Sequence, residues 1–397
     1  MRLVRVGVRN KRSRSVRLEN KSTILIYADT LLPRTQTFVL AQGEALEGFT
    51  PYYIGVRQLG NRGLQMPSDR TLALNRLGGI LGKIREIPYR RFGYAPIYFR
   101  QVRRCGPLLL HAHFGTCGLK ALSLAEWLSI PVITTFHGFD ATIRDSVFEK
   151  SAYGLREYVR RKHVLKERGR LFIAVSRFIR SKILEQGFAE EKIVVHYVGV
   201  DTEFFRADQG VNREPIVLFT GSLSEVKGCE FLIHAMARVQ SLMPKIELVI
   251  IGEGPLRRRL EKLAQERLTR FRFLGVQPRA AVKEWMNRAK VFSVPSVTAE
   301  SGAEEGFGLV FAEAQAMGCP VASFSSGGIQ EAVAHGETGL LAKERETDAL
   351  SEHILLLMKN DSLWRRMSEA GRDRACTLFD LRTQTKSLEE LYRQVLG

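Results

Sequence analysis

Residues 216–264 read IVLFTGSLSEVKGCEFLIHAMARVQSLMPKIELVIIGEGPLRRRLEKLA. A short apolar run, IVLFTG (216–221), ends at a glycine, and a helical stretch follows the loop to Gly228. A second run, IELVIIG (246–252), ends in Gly252-Glu253-Gly254-Pro255, with Pro255 placed to start the next helix. Strands that are apolar throughout, separated by helices, belong to a parallel sheet covered on both faces, since neither face meets water.

The same alternation extends both ways. Downstream stand FRFLG (271–275), VFSVPS (291–296), PVASF (320–324) and TGLLA (338–342). Upstream stand ILIYA (24–28), PYYIGV (51–56), LLLHAHF (108–114), PVITTFHG (131–138), LFIAVS (171–176) and KIVVHYV (192–198). Two such series predict an α/β chain of two doubly wound domains, at 22–205 and 206–378, with the break in the polar stretch DTEFFRADQGVNREP (201–215). The basic arm 1–21 is expected to be disordered. The final helical stretch (379–397) follows no strand and is free to pack on either domain, including back on the first.

A length of 397 residues agrees with two domains. With 45% hydrophobic and 26% charged residues the chain is globular, and no eighteen-residue apolar run marks a membrane span. Five cysteines form no CxxC pair, which disfavours a disulfide framework or zinc module and suggests a reducing, cytoplasmic setting. The basic N-terminus lacks the apolar stretch of a secretory signal. Residues 1–210 hold 35 Lys+Arg against 18 Asp+Glu, a balance of +17, while the remaining 25 and 24 balance to +1. The first half is therefore expected to face something anionic.

Ligands of open α/β sheets bind beyond the carboxyl ends of the strands. Gly221-Ser222-Leu223-Ser224-Glu225-Val226-Lys227-Gly228 offers close backbone approach, a lysine and a helix N-terminus, which suits a phosphate, although a plain capped turn reads the same way. It is not a Walker loop. The densest segment is PSVTAESGAEEGFGLVFAEAQAMG (295–318), with Glu305-Gly306-Phe307-Gly308 before a helix expected over about Gly308–Met317. If both Glu305 and Glu313 were helical they would stand ~12 Å apart, too far to share one glycosidic bond. Phe311, Ala312, Ala314 and Ala316 around Glu313 argue against a fully solvated carboxylate. Four histidines (111, 113, 137, 196) fall at strand ends, where most are structural. His137, in Thr135-Phe136-His137-Gly138-Phe139-Asp140, stands out. No HExxH, GxSxG or Cys–His signature is present, which disfavours a zinc site and acyl transfer.

These segments together resemble the retaining glycosyltransferases of family four, whose GT-B fold faces two Rossmann-like domains across a cleft. The resemblance rests on EGFGLVFAE (305–313), GCPV (318–321), GGIQE (327–331), HAHFG (111–115), TFHGFD (135–140), AVSRF (174–178), HYVGVDTEFF (196–205) and GEGPLRRRLE (252–261). It implies a nucleotide-diphosphate sugar donor and a lipid-linked or oligosaccharide acceptor. Glu313 would hold the ribose, and Glu305 with the backbone of Gly306, Phe307, Gly308 and Leu309 the donor sugar. Lys227, beside Gly221 and Ser222, would oppose the diphosphate without a metal or other cofactor, and His137 would reach the sugar from the first domain. Two departures stand out. Ser222 occupies the place where the family usually has an arginine, leaving Arg177 as a candidate diphosphate contact. Leu32-Pro33-Arg34-Thr35-Gln36-Thr37-Phe38 replaces a glycine pair and resembles the exopolysaccharide transferases of the colanic-acid type.

The expectation is thus a metal-independent transferase of cell-surface polysaccharide or lipopolysaccharide assembly, bound peripherally to the cytoplasmic face of an anionic membrane. The stretches Arg70–Arg104 and Arg156–Arg170 would make that contact, the first through Tyr89, Phe92, Tyr94, Tyr98 and Phe99 among its cations. A nucleotide-sugar epimerase or a phosphorylase is the alternative enzyme, though nothing marks a pyridoxal lysine. A basic polyanion-binding protein leaves the Glu305/Glu313 segment unexplained, and no nucleic-acid motif occurs.

Overall fold

The computed structural model describes residues 21–397 except 32, 34–35, 60–64, 77–78, 152 and 209. The arm up to residue 20, and with it the expectation of disorder, lies outside the described residues, as do Leu32, Arg34 and Thr35.

The first sheet is built from β1 (Ser22–Tyr27), β2 (Thr30–Leu31), β3 (Phe49–Gln58), β4 (Thr71–Asn75), β5 (Pro107–His113), β6 (Val132–Phe136), β7 (Leu171–Ala174) and β8 (Ile193–Val195). Its order is β2-β3-β1-β5-β6-β7-β8 with β4 beside β3, and every pairing is parallel. The helices of this half are α1 (Thr37–Glu44), α2 (Gly79–Phe92), α3 (Pro96–Arg103), α4 (Gly115–Leu128), α5 (Phe139–Thr142), α6 (Asp145–Glu149), α7 (Tyr153–Arg168) and α8 (Arg177–Glu185). Alternation along β1 shows how both faces are covered. Ile24 and Ile26 join Val39, Leu109, Leu388 and Tyr392 on one side, and Leu25 and Tyr27 join Phe99, Leu122 and Phe136 on the other.

The second sheet holds β9 (Glu214–Thr220), β10 (Glu247–Ile251), β11 (Phe271–Phe273), β12 (Ala289–Phe292), β13 (Val321–Phe324) and β14 (Gly339–Ala342). Its parallel order, β11-β10-β9-β12-β13-β14, is the 3-2-1-4-5-6 sequence of dinucleotide-binding folds. Its helices are α9 (Cys229–Leu242), α10 (Arg257–Arg267), α11 (Arg279–Arg288), α12 (Leu309–Ala316), α13 (Ile329–Ala332), α14 (Thr347–Lys359) and α15 (Asp361–Leu378). Pro255 stands two residues ahead of α10 rather than opening it.

The chain ends in α16 (Leu381–Leu396), which lies against the first sheet. Leu388 and Tyr392 are buried there, each contributing roughly 1.5–3 kcal/mol of apolar burial. The Glu389 carboxylate accepts hydrogen bonds from the backbone of Glu47 and Gly48 at 2.6 and 2.7 Å.

One expectation is corrected. Tyr89, Tyr98 and Phe99 are core residues, 4%, 3% and 1% exposed, so of the five aromatics assigned to a surface only Phe92 and Tyr94 face outward. Tyr89 and Tyr98 are satisfied inside, the first against Tyr27 Oη and the Lys120 carbonyl, the second donating to the Gly55 carbonyl. Lys162 is likewise buried, held by Asp145 at 2.8 Å.

Candidate active site

Each sheet has a topological switch point, between β1 and β5 in the first and between β9 and β12 in the second. Across the seam between the two sheets, the segment after β12 meets the turns that follow β6 and β7.

On the second-sheet side, the loop after β9 makes a single 3₁₀ turn, Glu225–Lys227, closed by Gly228 in the left-handed region. This turn presents Lys227 to the segment after β12. The Lys227 ammonium meets Glu305 Oε2 at 2.5 Å, and Ser296 Oγ donates to the same oxygen at 3.2 Å. Glu305 lies in a loop, not on the helix, so the ~12 Å separation expected for two helical glutamates does not apply. Gly308 (φ +81°) caps the start of α12, whose first residue is Leu309. Glu313 is one turn further on. Its carboxyl makes no hydrogen bond or ion pair among the described residues, and burial pushes its pKa up to about 7 against the pull of Arg279. The ring of Phe307 is buried at 5.5 Å from Tyr197 and 5.0 Å from Phe379, so only its backbone is available to a ligand.

On the first-sheet side, three imidazoles line up at the ends of β5 and β6. His111 stacks on His113 at 4.5 Å, and His113 on His137 at 5.2 Å. His113 Nδ1 and His137 Nε2 share a 3.0 Å hydrogen bond. His111 is tied to Thr135 Oγ1 and to Tyr392 Oη of α16, both at 2.7 Å. Burial holds His111 and His137 well below their ordinary pKa and takes His113 down to about 3, so all three are neutral near pH 7. Asp140 fixes the turn that carries His137. It accepts from the backbone of His137, Gly138 and Gly115 at 3.2, 3.0 and 2.8 Å. Burial raises its pKa to about 6, and these N–H donors oppose the rise.

The two sides touch. A side chain at Gly306 would run into the backbone carbonyl of His137, so the 305–308 loop can lie against the histidine turn only with glycine there. Ser176, the N-cap of α8, donates to the Gly306 carbonyl at 2.6 Å while accepting from Ile179 N at 3.0 Å. Glu331 reaches back from the second sheet, its two oxygens accepting from the backbone N–H groups of Arg177 and Phe178 at 2.8 and 2.9 Å. The start of α8 is therefore capped by residues of both halves.

Comparison with known proteins decides the family. Residues 59–204 match the model of Glycosyltransferase Family 4, and residues 201–374 match that of the group 1 glycosyl transferases. Together the two models cover most of the chain and adjoin where the first sheet gives way to the second. This chain is a family-4 glycosyltransferase with the GT-B fold. Among its relatives are the amylovoran biosynthesis glycosyltransferase AmsK of Erwinia amylovora, 29% identical over 71% of this chain and 69% of AmsK, and the putative colanic acid biosynthesis glycosyltransferase WcaL. WcaL of Salmonella typhimurium is 31% identical over 61% of this chain and 59% of its own length. The chain thus spans about three fifths to two thirds of these relatives. Two solved structures share the fold. Sucrose-phosphate synthase of Thermosynechococcus elongatus has a TM-score of 0.76 at 24% identity, covering 94% of this chain and 99% of its own. Anabaena HepE, solved with UDP and glucose, has a TM-score of 0.72 at 19% identity, covering 93% and 99%.

Within this glycosyltransferase the residues singled out from sequence fall at one seam. Lys227, Glu305 and the Gly306–Leu309 backbone cluster there, with Gly221 and Ser222 on the loop that carries Lys227 and His137 on the opposing turn. Ser222 is exposed, and among the described residues its side chain hydrogen-bonds only to Ser224, at 2.9 Å. Arg177 sits at the start of α8, and its guanidinium makes no ion pair among the described residues. Sequence reading missed the roles of Asp140, Ser176 and the Glu331 carboxylate. Only Ser176 carried a local signal, a serine before an amphipathic helix. Among the described residues no group of three or more His, Cys, Asp or Glu is disposed to hold a metal, and no helix is long and apolar enough to cross a membrane.

Proposed function

We propose that this glycosyltransferase moves a sugar, with retention of anomeric configuration and without a divalent metal, from a nucleotide diphosphate sugar to a lipid-linked or saccharide acceptor in exopolysaccharide or lipopolysaccharide assembly. The amylovoran and colanic acid relatives support the pathway, and the HepE complexes with UDP and glucose support the donor class. One observation carries the mechanism: a paired lysine and a half-buried carboxyl, unpartnered among the described residues, flank the start of α12, and the loop before that helix lies against the neutral histidine turn.

Glu313 accepts from the ribose hydroxyls, which compensates the cost of its burial. Lys227, with the α12 N-terminus, opposes the charge that grows on the diphosphate as its bond to the anomeric carbon breaks. The acceptor hydroxyl oxygen forms the new bond on the same face, and its proton leaves on the departing phosphate oxygen. Neither Glu305 nor Asp140 acts as a nucleophile, because Glu305 is paired with Lys227 and Asp140 is held by three backbone N–H groups. Neutral His137 supplies a hydrogen bond to the sugar rather than a charge. The basic first domain faces an anionic membrane, and the protein works as a peripheral enzyme on its cytoplasmic side.

A thermal-shift panel of uridine, guanosine and adenosine diphosphate sugars tests the donor, since only a true donor stabilises by mass action. One sugar nucleotide should raise the melting temperature, and transfer from it should survive excess chelator and give a product of the donor's anomeric configuration by NMR. A flat panel defeats the reading. Inversion, or activity restored only by magnesium or manganese, defeats the mechanism.

A further inference from the structure

Where β5 runs into α4, three consecutive residues grip the turn that carries His137. His113 holds its ring edge: His113 Nδ1 and His137 Nε2 lie 3.0 Å apart, with the two rings within 23° of coplanar. Phe114 packs against the same imidazole, ring centroids 4.7 Å apart, and does so from φ +75°, a backbone conformation strained for a bulky side chain. Gly115 donates its N–H to Asp140 at 2.8 Å, the carboxylate that also accepts from the backbone of His137 and Gly138. Phe38 of α1 stands 5.0 Å from the His137 ring. The imidazole is thus fixed along one edge and between two phenyl rings, while its Nδ1 makes no hydrogen bond among the described residues.

His113 is 1% exposed, and the bond to His137 is the one hydrogen bond its side chain makes among the described residues. A phenylalanine would fill that place without burying a polar ring. Burial keeps both imidazoles neutral, so a single proton lies between the two nitrogens. Two arrangements satisfy the bond. In one, His137 Nε2–H donates to a bare His113 Nδ1, and both rings carry their proton on Nε2, the tautomer a neutral imidazole prefers. In the other, His113 Nδ1–H donates, and both rings take the less favoured form. The first arrangement costs neither ring its preference.

We propose that His113 is a positioning residue for His137: by accepting the Nε2 proton it leaves His137 Nδ1 bare, as the acceptor for a hydroxyl of the donor sugar, while Phe114 sets the plane of the ring. The assignment rests on the transfer reading above and adds to it the direction of the hydrogen bond, which runs from the sugar to the protein.

Nitrogen-isotope labelling of the histidines in the full chain reads the shared proton directly by NMR. A coupling across the hydrogen bond should join His113 Nδ1 to His137 Nε2, with the proton on Nε2 and the His137 Nδ1 resonance at the position of an unprotonated nitrogen. A protonated His137 Nδ1 overturns the proposal. His113→Phe keeps an aromatic ring in the row and removes the nitrogen. It should lower kcat about tenfold, while the nucleoside diphosphate of the selected donor binds as in the parent, which also shows that the variant is folded. His113→Asn places an amide oxygen where Nδ1 stood and should recover most of that loss. In a His137→Ala background His113→Phe should cost nothing more, since a residue that acts through His137 then has nothing to act on. Equal losses with and without His137 would make His113 a packing residue, overturning this assignment with the donor reading intact. A flat nucleotide panel removes the transfer reading itself, and the histidine assignment falls with it.

Discussion

The two walls of the seam solve the same problem in opposite ways. The second-sheet wall works with charge: an ammonium paired to one carboxylate, another carboxyl left unpaired, and a helix start, all within a half whose net charge is close to zero. The first-sheet wall suppresses charge at its centre, with three neutral imidazoles and a carboxylate locked onto backbone N–H groups. None of these four side chains is a cation, although residues 1–210 carry a formal excess of +17. A site that must bind a dianionic leaving group while leaving a sugar ring uncharged gains from such a division. On the proposed mechanism, cations near the sugar would compete with Lys227 for the leaving group.

The sharpest way to break this contrast is Lys227→Ala. Removing the cation paired with Glu305 should lower kcat by about 10²–10³-fold, the usual cost of losing a preorganised charge partner, as measured with the donor that the thermal panel selects. A loss of less than about tenfold would put the diphosphate elsewhere, with Arg177 the first residue to test.

Glu313→Gln comes next. Losing a charged hydrogen bond costs about 1.5–3 kcal/mol, so nucleotide affinity should fall by roughly tenfold or more in calorimetry at pH 8. The pH response follows from the raised pKa. Its ordinary value is 4.5 and burial lifts it to about 7, so the folded protein holds an extra proton between those values. Glu313 therefore makes stability decline as pH rises through that window. Nucleotide affinity should run the other way, rising through about pH 7 as the carboxylate that accepts the ribose hydroxyls forms. Gln should flatten both trends, and a parent whose affinity ignores pH between 6 and 8 would take the ribose away from Glu313.

The smallest effect is expected at the seam itself. Glu331→Ala removes the second-sheet half of the cap at the start of α8, leaving Ser176, and should cost about 0.5–2 kcal/mol of stability, seen as a drop of a few degrees in melting temperature. It should also raise KM for the donor more than it lowers kcat. An unchanged KM would mean that the two walls hold their distance without this carboxylate.

Most of the strands were legible because strands buried on both faces leave unbroken apolar runs. The strands missed are the ones that escape that rule. In β4, Thr71, Ala73 and Asn75 alternate with half-buried residues at the sheet margin, and β2 is two residues long. The second-sheet wall was readable for a similar reason, since its geometry is written in adjacent glycines and acids. Of the first-sheet wall only His137 was, because the rest of its meaning lies in distant partners. Ser176 meets Gly306 across 130 residues and Phe178 meets Glu331 across 153, separations that no local pattern records. The misplacement of Tyr89, Tyr98 and Phe99 has the same root, since an aromatic between arginines looks like an interface until the fold shows which side of the helix is inside.

The last helix gives the molecule a timetable. His111 leans on Tyr392, and the backbone at 47–48 is closed by Glu389 more than 340 residues later. A ribosome releases the first domain long before those residues exist, so that domain leaves the tunnel with a bare sheet face and an unfinished histidine row. Its maturation waits for α16, and a truncation that removes that helix would strike the half of the protein that was made first.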